Sequence, residues 1–149
     1  MLTPTRGRRS FRARRAADMA PVSEGKRTAE FLVSEANGYR SRAEVTVAVP
    51  ANTTLPAGRV MALLTSGGSA GDYVPHDEDG TDNGTRDPRA VLYDNLVNDT
   101  GAAVDMTATV IIRDAEVNAA HLTHDAARTT DAHIADDLAD LAAFGIIAR

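Results

Sequence analysis

Two runs of alternating apolar and polar residues constrain the fold of this chain more than any other feature. In Val104 to Arg113, polar residues such as Asp105 and Thr107 stand between regularly spaced apolar ones. The run Val45 to Val49 alternates in the same way. Because successive side chains of a β-strand point to opposite faces, both runs predict strands with one buried face. In the longer run the face predicted to be buried consists of Val104, Met106, Ala108, Val110 and Ile112.

Shorter strands are predicted between residues that favour turns. They are expected at Val60 to Thr65, around Asp72 to Val74 and around Ala90 to Tyr93. The segment Ala29 to Val33 is predicted to be extended, and Asn37-Gly38 after it is a turn signal. In Leu55-Pro56-Ala57-Gly58, the proline and the glycine occupy the second and fourth positions expected of a type I turn.

One helix is predicted near the C-terminus, because four apolar residues recur there at helical spacing. These residues are Ile134, Leu138, Leu141 and Ala142. Thr130 or Asp131 is the expected N-cap, and Gly145 is the expected residue just beyond the helix. Three acidic residues are predicted to lie on the solvent side: Asp136, Asp137 and Asp140. With a terminal strand at Ile146 to Ala148, the pattern predicts one mainly β domain carrying a single C-terminal helix.

Charge divides the chain into a basic leader and an acidic body. Residues 1–18 contain six Arg and one Asp, whereas the remainder contains 10 Lys and Arg against 20 Asp and Glu. The leader, residues 1–23, has no apolar periodicity and is predicted to be disordered. It is either an arm that binds a polyanion or, for residues 1–18, sequence upstream of a true start at Met19. The acidic body is expected to bind neither nucleic acid nor an anionic membrane surface.

The composition of the chain argues against several kinds of functional site. The 149 residues include no cysteine, which removes disulfides, thiolate metal sites and cysteine nucleophiles together. Only 4% are aromatic, which argues against a large cofactor cavity. No apolar run approaches the ~18 residues of a membrane span.

Two clusters of potential ligands are candidates for metal or catalytic sites. The loop Asp77 to Gly84 is rich in carboxylates but lacks the spacing of an EF-hand, and an exposed turn explains the same residues. His121, His124 and Asp125, with His133 further on, could form a metal or general-base cluster, or a small hydrolase site. No third ligand stands at a diagnostic spacing, so a surface or subunit-contact role is favoured. We expect no metal, no cofactor and no enzymatic activity.

Four stretches in a fixed order resemble the lambda-type bacteriophage head decoration proteins. The resemblance covers nearly all of residues 24–149 and departs from the family at Pro88-Arg89 and Thr123-His124. The four stretches are AEFLVSEANGYRSRAEVTV from Ala29, LPAGRVMALLT from Leu55, RAVLYDNLVNDTGAA from Arg89, and VIIRDAEVNAAHL from Val110 with the ending LAAFGIIAR.

The resemblance implies a β-clip-like domain over residues 24–149 that acts as a structural virion protein. Such a protein is assembled in the host cytoplasm and binds, as a homotrimer, to the major capsid protein at local threefold positions outside an expanded head. Its N-terminal arm is typically disordered when free and orders on the capsid. Residues 24–34 correspond to this arm, whose binding residues would be Thr28, Ala29, Glu30, Phe31, Leu32, Val33 and Ser34. The alternative is a virion-surface module that binds a receptor or a polysaccharide.

Overall fold

A computed structural model describes residues 24–149 as ten strands and two helices. A single 3-10 turn at Ala119–His121 adds to them. The elements in chain order are β1 Leu32–Glu35, α1 Gly38–Ser41, β2 Arg42–Val49, β3 Thr53–Leu55, β4 Val60–Leu63, β5 Tyr73–Pro75, β6 Pro88–Leu92, β7 Leu96–Asn98, β8 Val104–Ile111, β9 Ala115–Val117, α2 Asp131–Ala143 and β10 Ile146–Ala148. The prediction of a mainly β chain with its main helix near the C-terminus is confirmed.

Five strands close into a barrel in the order β2-β5-β4-β6-β8. The long strands β2 and β8 pair antiparallel over their whole length, from Arg42 opposite Ile111 to Val49 opposite Val104. These are the two strands that the alternating runs predicted. The alternation reflects burial within β2, where Val47 and Val49 are fully buried, Ala48 between them is partly buried and Thr46 is exposed.

Two smaller sheets flank the barrel. One has the order β1-β9-β10, with β1 antiparallel and β10 parallel to the central strand β9. The other is a two-stranded ribbon of β3 and β7. Strands β3, β7 and β9 have three residues each, and the sequence pattern did not predict them.

The barrel strands contribute consecutive residues to two hydrophobic clusters. Val60 packs with β9, β10 and α2, whereas its neighbour Met61 packs with other barrel residues. Val91 and Leu92 divide in the same way, as do Val110 and Ile111. Because neighbouring side chains of a strand point to opposite faces, the barrel is buried on both faces at these strands. This explains why β4 is an uninterrupted apolar run.

Helix α2 begins and ends as predicted. Thr130 is the N-cap, and its hydroxyl accepts a hydrogen bond from the His133 amide at 3.3 Å. Gly145 follows the helix with φ +80°, a conformation that favours glycine. Leu141 and Ile146 then pack in the same cluster, which fixes the helix against β9 and β10.

Four local predictions were wrong. Residues 28–31 form a turn rather than extended chain, with Ala29 at φ +58°. Asn37 caps the short helix α1 instead of starting a simple turn, because its side chain accepts from the Tyr39 amide. At the next turn the Arg59 amide donates to the carbonyl of Pro56, which places Gly58 third, at φ +84°, as in a type II turn. On β8, Val104 was predicted to be buried, but it is 37% exposed.

Candidate functional site

The N-terminal segment, residues 24–35, is fastened to the domain at Lys26. The Lys26 ammonium donates to the carbonyl of His121 at 2.5 Å and to Thr123 Oγ1 at 2.7 Å. Asn95 Nδ2 donates to the Lys26 carbonyl at 2.6 Å. Partial burial lowers the pKa of Lys26, and the nearby Glu30 carboxylate offsets part of this effect. The chain is therefore held at residue 26, before β1 begins.

A second anchor is the Phe31 side chain, which is 1% exposed. It packs in the hydrophobic cluster that also contains Leu141 and Ile146. The backbone on either side is bonded as well. The Ala29 amide donates to the carbonyl of Tyr93 at 3.0 Å, and the Asn118 amide donates to the carbonyl of Phe31 at 2.7 Å. Phe31 is thus part of the domain core rather than of a detached arm.

The seven residues predicted to bind the capsid therefore face different environments. Phe31 is buried, and Ala29 and Leu32 are partly buried. The residues that remain available to a partner are Thr28, Glu30, Val33 and Ser34, all of them exposed. Their capsid-binding role remains a prediction.

Strand β1 lies at the edge of its sheet, and within residues 24–149 β9 is the only strand that pairs with it. Its register shifts between Leu32 and Ser34, which leaves Val33 as a bulge with 57% of its surface exposed. An edge strand presents backbone amides and carbonyls to which another strand can add. The outer edge of β1 is thus suited to pairing with an extended segment of another protein.

The outer face of this sheet is polar near its centre. Ser34, Glu116 and Ile147 lie side by side across the three strands. Ser34 Oγ donates to Glu116 Oε2 at 3.0 Å, and the Arg149 guanidinium donates to Glu116 Oε1. The Arg149 hydrogen bonds hold the pKa of Glu116 below its ordinary value. A shallow cavity of about 330 Å³ lies over this face.

A buried ionic cluster on α2 was missed by the sequence analysis. Asp137 was predicted to face solvent, but it is fully buried, so that prediction was wrong. His124 Nδ1 lies 2.7 Å from Asp137 Oδ2, and Arg128 Nε lies 3.0 Å from Asp137 Oδ1. The Arg128 contact is an ion pair rather than a well-aligned hydrogen bond. The favoured surface role of His124 was also wrong, because its side chain is only 10% exposed.

The same cluster extends to β5 and β4. His76, also fully buried, places Nε2 at 3.0 Å from the carbonyl of Arg86 and Nδ1 at 4.0 Å from Asp137 Oδ2. Arg59 donates to the carbonyls of His76 and His124 and pairs with Asp125 at 3.9 Å. Asp125 therefore balances a partly buried arginine. The cluster ties α2 and the segment before it to the barrel.

The other candidate ligands are engaged in local structure. In the acidic loop, the Gly80 amide donates to the carbonyl of Asp77, and the Asp79 amide to the Asp77 carboxylate. His121 Nδ1 lies 3.2 Å from Glu30 Oε1, away from His124 and its partner Asp137. Among residues 24–149, no three His, Asp or Glu side chains are grouped so that they could hold a metal ion.

Comparison with known families assigns the chain to one of them. The sequence model described as "Bacteriophage lambda head decoration protein D" matches residues 21–146, which is nearly the whole of the described domain. The chain belongs to the bacteriophage lambda head decoration protein D family. No curated protein and no solved structure shows significant similarity to it.

Family membership sets the class of protein. The family consists of structural proteins that decorate phage capsids, not of enzymes, and it implies a location on the virion capsid. None of the helices in residues 24–149 is long and apolar enough to cross a membrane.

Proposed function

We propose that this chain binds the major capsid protein as a homotrimer, outside an expanded phage head at local threefold positions. There it stabilises the head against the pressure of packaged DNA. The observation that carries the proposal is the family match over residues 21–146. Each trimer would bridge neighbouring capsid subunits, so that outward displacement of one subunit is resisted by the others.

The charge of the body supports an exterior position. From residue 19 onward the chain has 20 Asp and Glu against 10 Lys and Arg. Phosphate groups repel such a surface, whereas the outside of a capsid does not bring it against DNA. Decoration therefore requires no contact between this body and the packaged nucleic acid.

We further propose that the exposed part of the N-terminal segment makes the capsid contact. Thr28, Glu30, Val33 and Ser34 face outward, and one edge of β1 is unpaired by any strand of residues 24–149, so that a capsid strand can add to it. Phe31 stays in the core during binding, because exposing it would cost the burial of a large aromatic side chain. Lys26 and Phe31 thus position the contact rather than forming it.

Three such segments in one trimer would strengthen a modest individual contact. Once one segment is bound, the others bind at a high effective concentration, which can raise avidity by about 10² to 10⁴. A substitution that weakens the capsid contact should therefore have a large effect on decoration, because all three segments of the trimer carry it.

The test uses two exposed valines with the same exposure. Val33 on β1 and Val97 on β7 are each 57% exposed. We expect Val33→Asp to reduce the binding of expanded, undecorated heads by at least about tenfold, since the charge disrupts the added strand. Val97→Asp serves as the control and should bind like the wild type. Equal binding by both variants would contradict the role of β1.

A truncation that tests the N-terminal segment must leave Lys26 and Phe31 in place. Deleting residues 1–34 removes Phe31, so a loss of binding would not separate a lost contact from a damaged fold. Deleting residues 1–18 leaves the described domain whole and should not change decoration if Met19 is the true start. A chain that instead bound host cells or glycans, and not heads, would support a receptor- or polysaccharide-binding module.

A further inference from the structure

A cavity of about 420 Å³ opens where the barrel meets the end of α2. It is lined by Tyr73, Arg89, Ile112, Arg113 and Phe144. The guanidinium carbon of Arg89 lies 3.5 Å from the centroid of the Phe144 ring, and Phe144 is itself 37% exposed. Two guanidinium groups and an aromatic ring therefore share one opening, which we call the Arg89–Arg113 pocket.

Neither arginine of this pocket has a carboxylate partner among residues 24–149. That part of the chain contains ten Lys and Arg residues. Apart from the two pocket arginines and Lys26, all of them form ion pairs: Arg27, Arg40, Arg42, Arg59, Arg86, Arg128 and Arg149. Lys26 is satisfied by a carbonyl and a hydroxyl. Arg113 donates through Nε alone, to the carbonyl of Arg40 at 2.9 Å. Nη1 of Arg89 is buried without any hydrogen-bond partner.

A partly buried guanidinium without a counter-anion is unfavourable, because it has lost water without gaining an opposite charge. The face of the Phe144 ring offsets part of this cost through a cation–π contact. The ring cannot supply hydrogen-bond acceptors for the remaining N–H groups. The pocket is thus complementary to an anion that brings oxygen acceptors.

Tyr73 adds an apolar wall to the pocket with a hydroxyl near the arginines. Its side chain is 8% exposed, and burial raises its pKa, while the neighbouring Arg89 charge acts in the opposite direction. The phenol therefore stays protonated at neutral pH and can donate to an incoming oxygen. A carboxylate fits these donors, because a guanidinium binds its two oxygens in parallel.

We propose that the Arg89–Arg113 pocket receives the carboxylate of an Asp or Glu side chain from a second copy of this chain. Two copies are both strongly acidic, so their association requires cations at the contact to offset repulsion. The pocket holds two of the three cations in residues 24–149 that are free of ion pairs. The inference rests on the homotrimer of the proposed function and names residues that hold it together.

The experiment is sedimentation equilibrium of the full chain and of three single variants. Arg113→Gln removes the exposed arginine and, from the fold, only its hydrogen bond to the carbonyl of Arg40, whereas Arg89→Gln removes the stacked arginine. Arg86→Gln is the matched control, because this exposed arginine lies 3.8 Å from Glu78 and outside the pocket. At 0.1 M salt, we expect each pocket variant to weaken self-association by about tenfold or more, and the control to leave it unchanged.

Salt gives an independent readout, and the outcomes separate the two proposals. Added salt should weaken wild-type association more steeply than that of the Arg89→Gln/Arg113→Gln double variant. If the pocket variants associate like the Arg86→Gln control, this inference is wrong while the homotrimer stands. If the free wild-type chain is monomeric, the same variants are compared by their binding to expanded heads, and pocket variants that bind like the Arg86→Gln control overturn this inference. Fewer than three wild-type copies at each threefold position of the head would overturn the homotrimer itself. Variants that associate normally but no longer bind heads would assign the pocket to the capsid protein and overturn the assignment to a second copy.

Discussion

His124 and Asp137 form a hydrogen bond almost completely shielded from solvent, with His124 Nδ1 2.7 Å from Asp137 Oδ2. The bond joins the segment before α2 to the helix itself. Arg128 approaches the other oxygen of the same carboxylate. One buried carboxylate on α2 therefore holds two residues, His124 and Arg128, that precede the helix in the chain.

Removing that charge should destabilise the domain strongly. We expect Asp137→Ala to lower the free energy of unfolding by about 2–4 kcal/mol, because Arg128 keeps only Glu78 as an ion partner and His124 loses the carboxylate it bonds. Urea denaturation measures the change. The exposed neighbour Asp136 provides the control, and Asp136→Ala should stay within about 0.5 kcal/mol of the wild type. Similar losses in both variants would show that Asp137 is not the centre of the cluster.

Phe31 should behave as a core residue. Phe31→Ala is expected to lower the free energy of unfolding by about 3–5 kcal/mol, since it leaves a cavity in the cluster with Leu141 and Ile146. Val33→Ala, two residues away and exposed, should change it by no more than about 0.5 kcal/mol. A small effect at Phe31 would mean that the N-terminal segment leaves the domain in solution.

Gly58 is restricted by its backbone and by a close neighbour. Its φ is +84°, and an added Cβ would lie 2.6 Å from the carbonyl oxygen of His121. Gly67 has a similar φ of +91° but open space around it. Comparing the two glycines therefore separates the cost of the backbone conformation from the cost of the steric contact. Gly67→Ala should cost about 1 kcal/mol for the backbone alone. Gly58→Ala should cost clearly more in thermal or urea unfolding, and equal costs would argue against the contact.

Acid should weaken the domain partly through Glu35. The side-chain hydrogen bond from Arg42, with a second from Ser41, holds the pKa of Glu35 below its ordinary value of 4.5. The folded pKa is the lower one, so this contribution is present above about pH 4.5 and is lost as pH falls through the lowered value. In unfolding curves recorded across this range, Glu35→Gln should flatten the dependence on pH. Substitution of an exposed glutamate, Glu44→Gln, should leave the dependence on pH unchanged. If Glu35→Gln shows the same dependence on pH as the wild type, Glu35 does not contribute to the loss of stability in acid.

The sequence predicted those features that depend on local periodicity. The alternating valines of β2 and the cap at Thr130 follow from rules that need only neighbouring residues. Asp137 could not be predicted in the same way, because a carboxylate on a helix is usually solvated. Only the fold brings it to Arg128, and to His124 thirteen residues earlier.

The sequence drew attention to the N-terminal segment but did not show whether this segment packs against the domain. The apolar character of Ala29 to Val33 marked the segment, but the same character fits either a detached arm or a packed one. Phe31 is buried because the fold brings distant residues such as Leu141 and Ile146 into the same hydrophobic cluster. Three-residue strands such as β9 are too short for any periodic signal, and pairing between distant segments defines them.

Decoration by a homotrimer can be measured by counting the copies of this chain bound to expanded, undecorated heads. Quantitative mass spectrometry or cryo-electron microscopy of saturated particles gives this number. We expect three copies at each local threefold position, on the outer surface only, together with a raised melting temperature of the head. Absence of binding, or saturation at a number that is not a multiple of three per position, would contradict it.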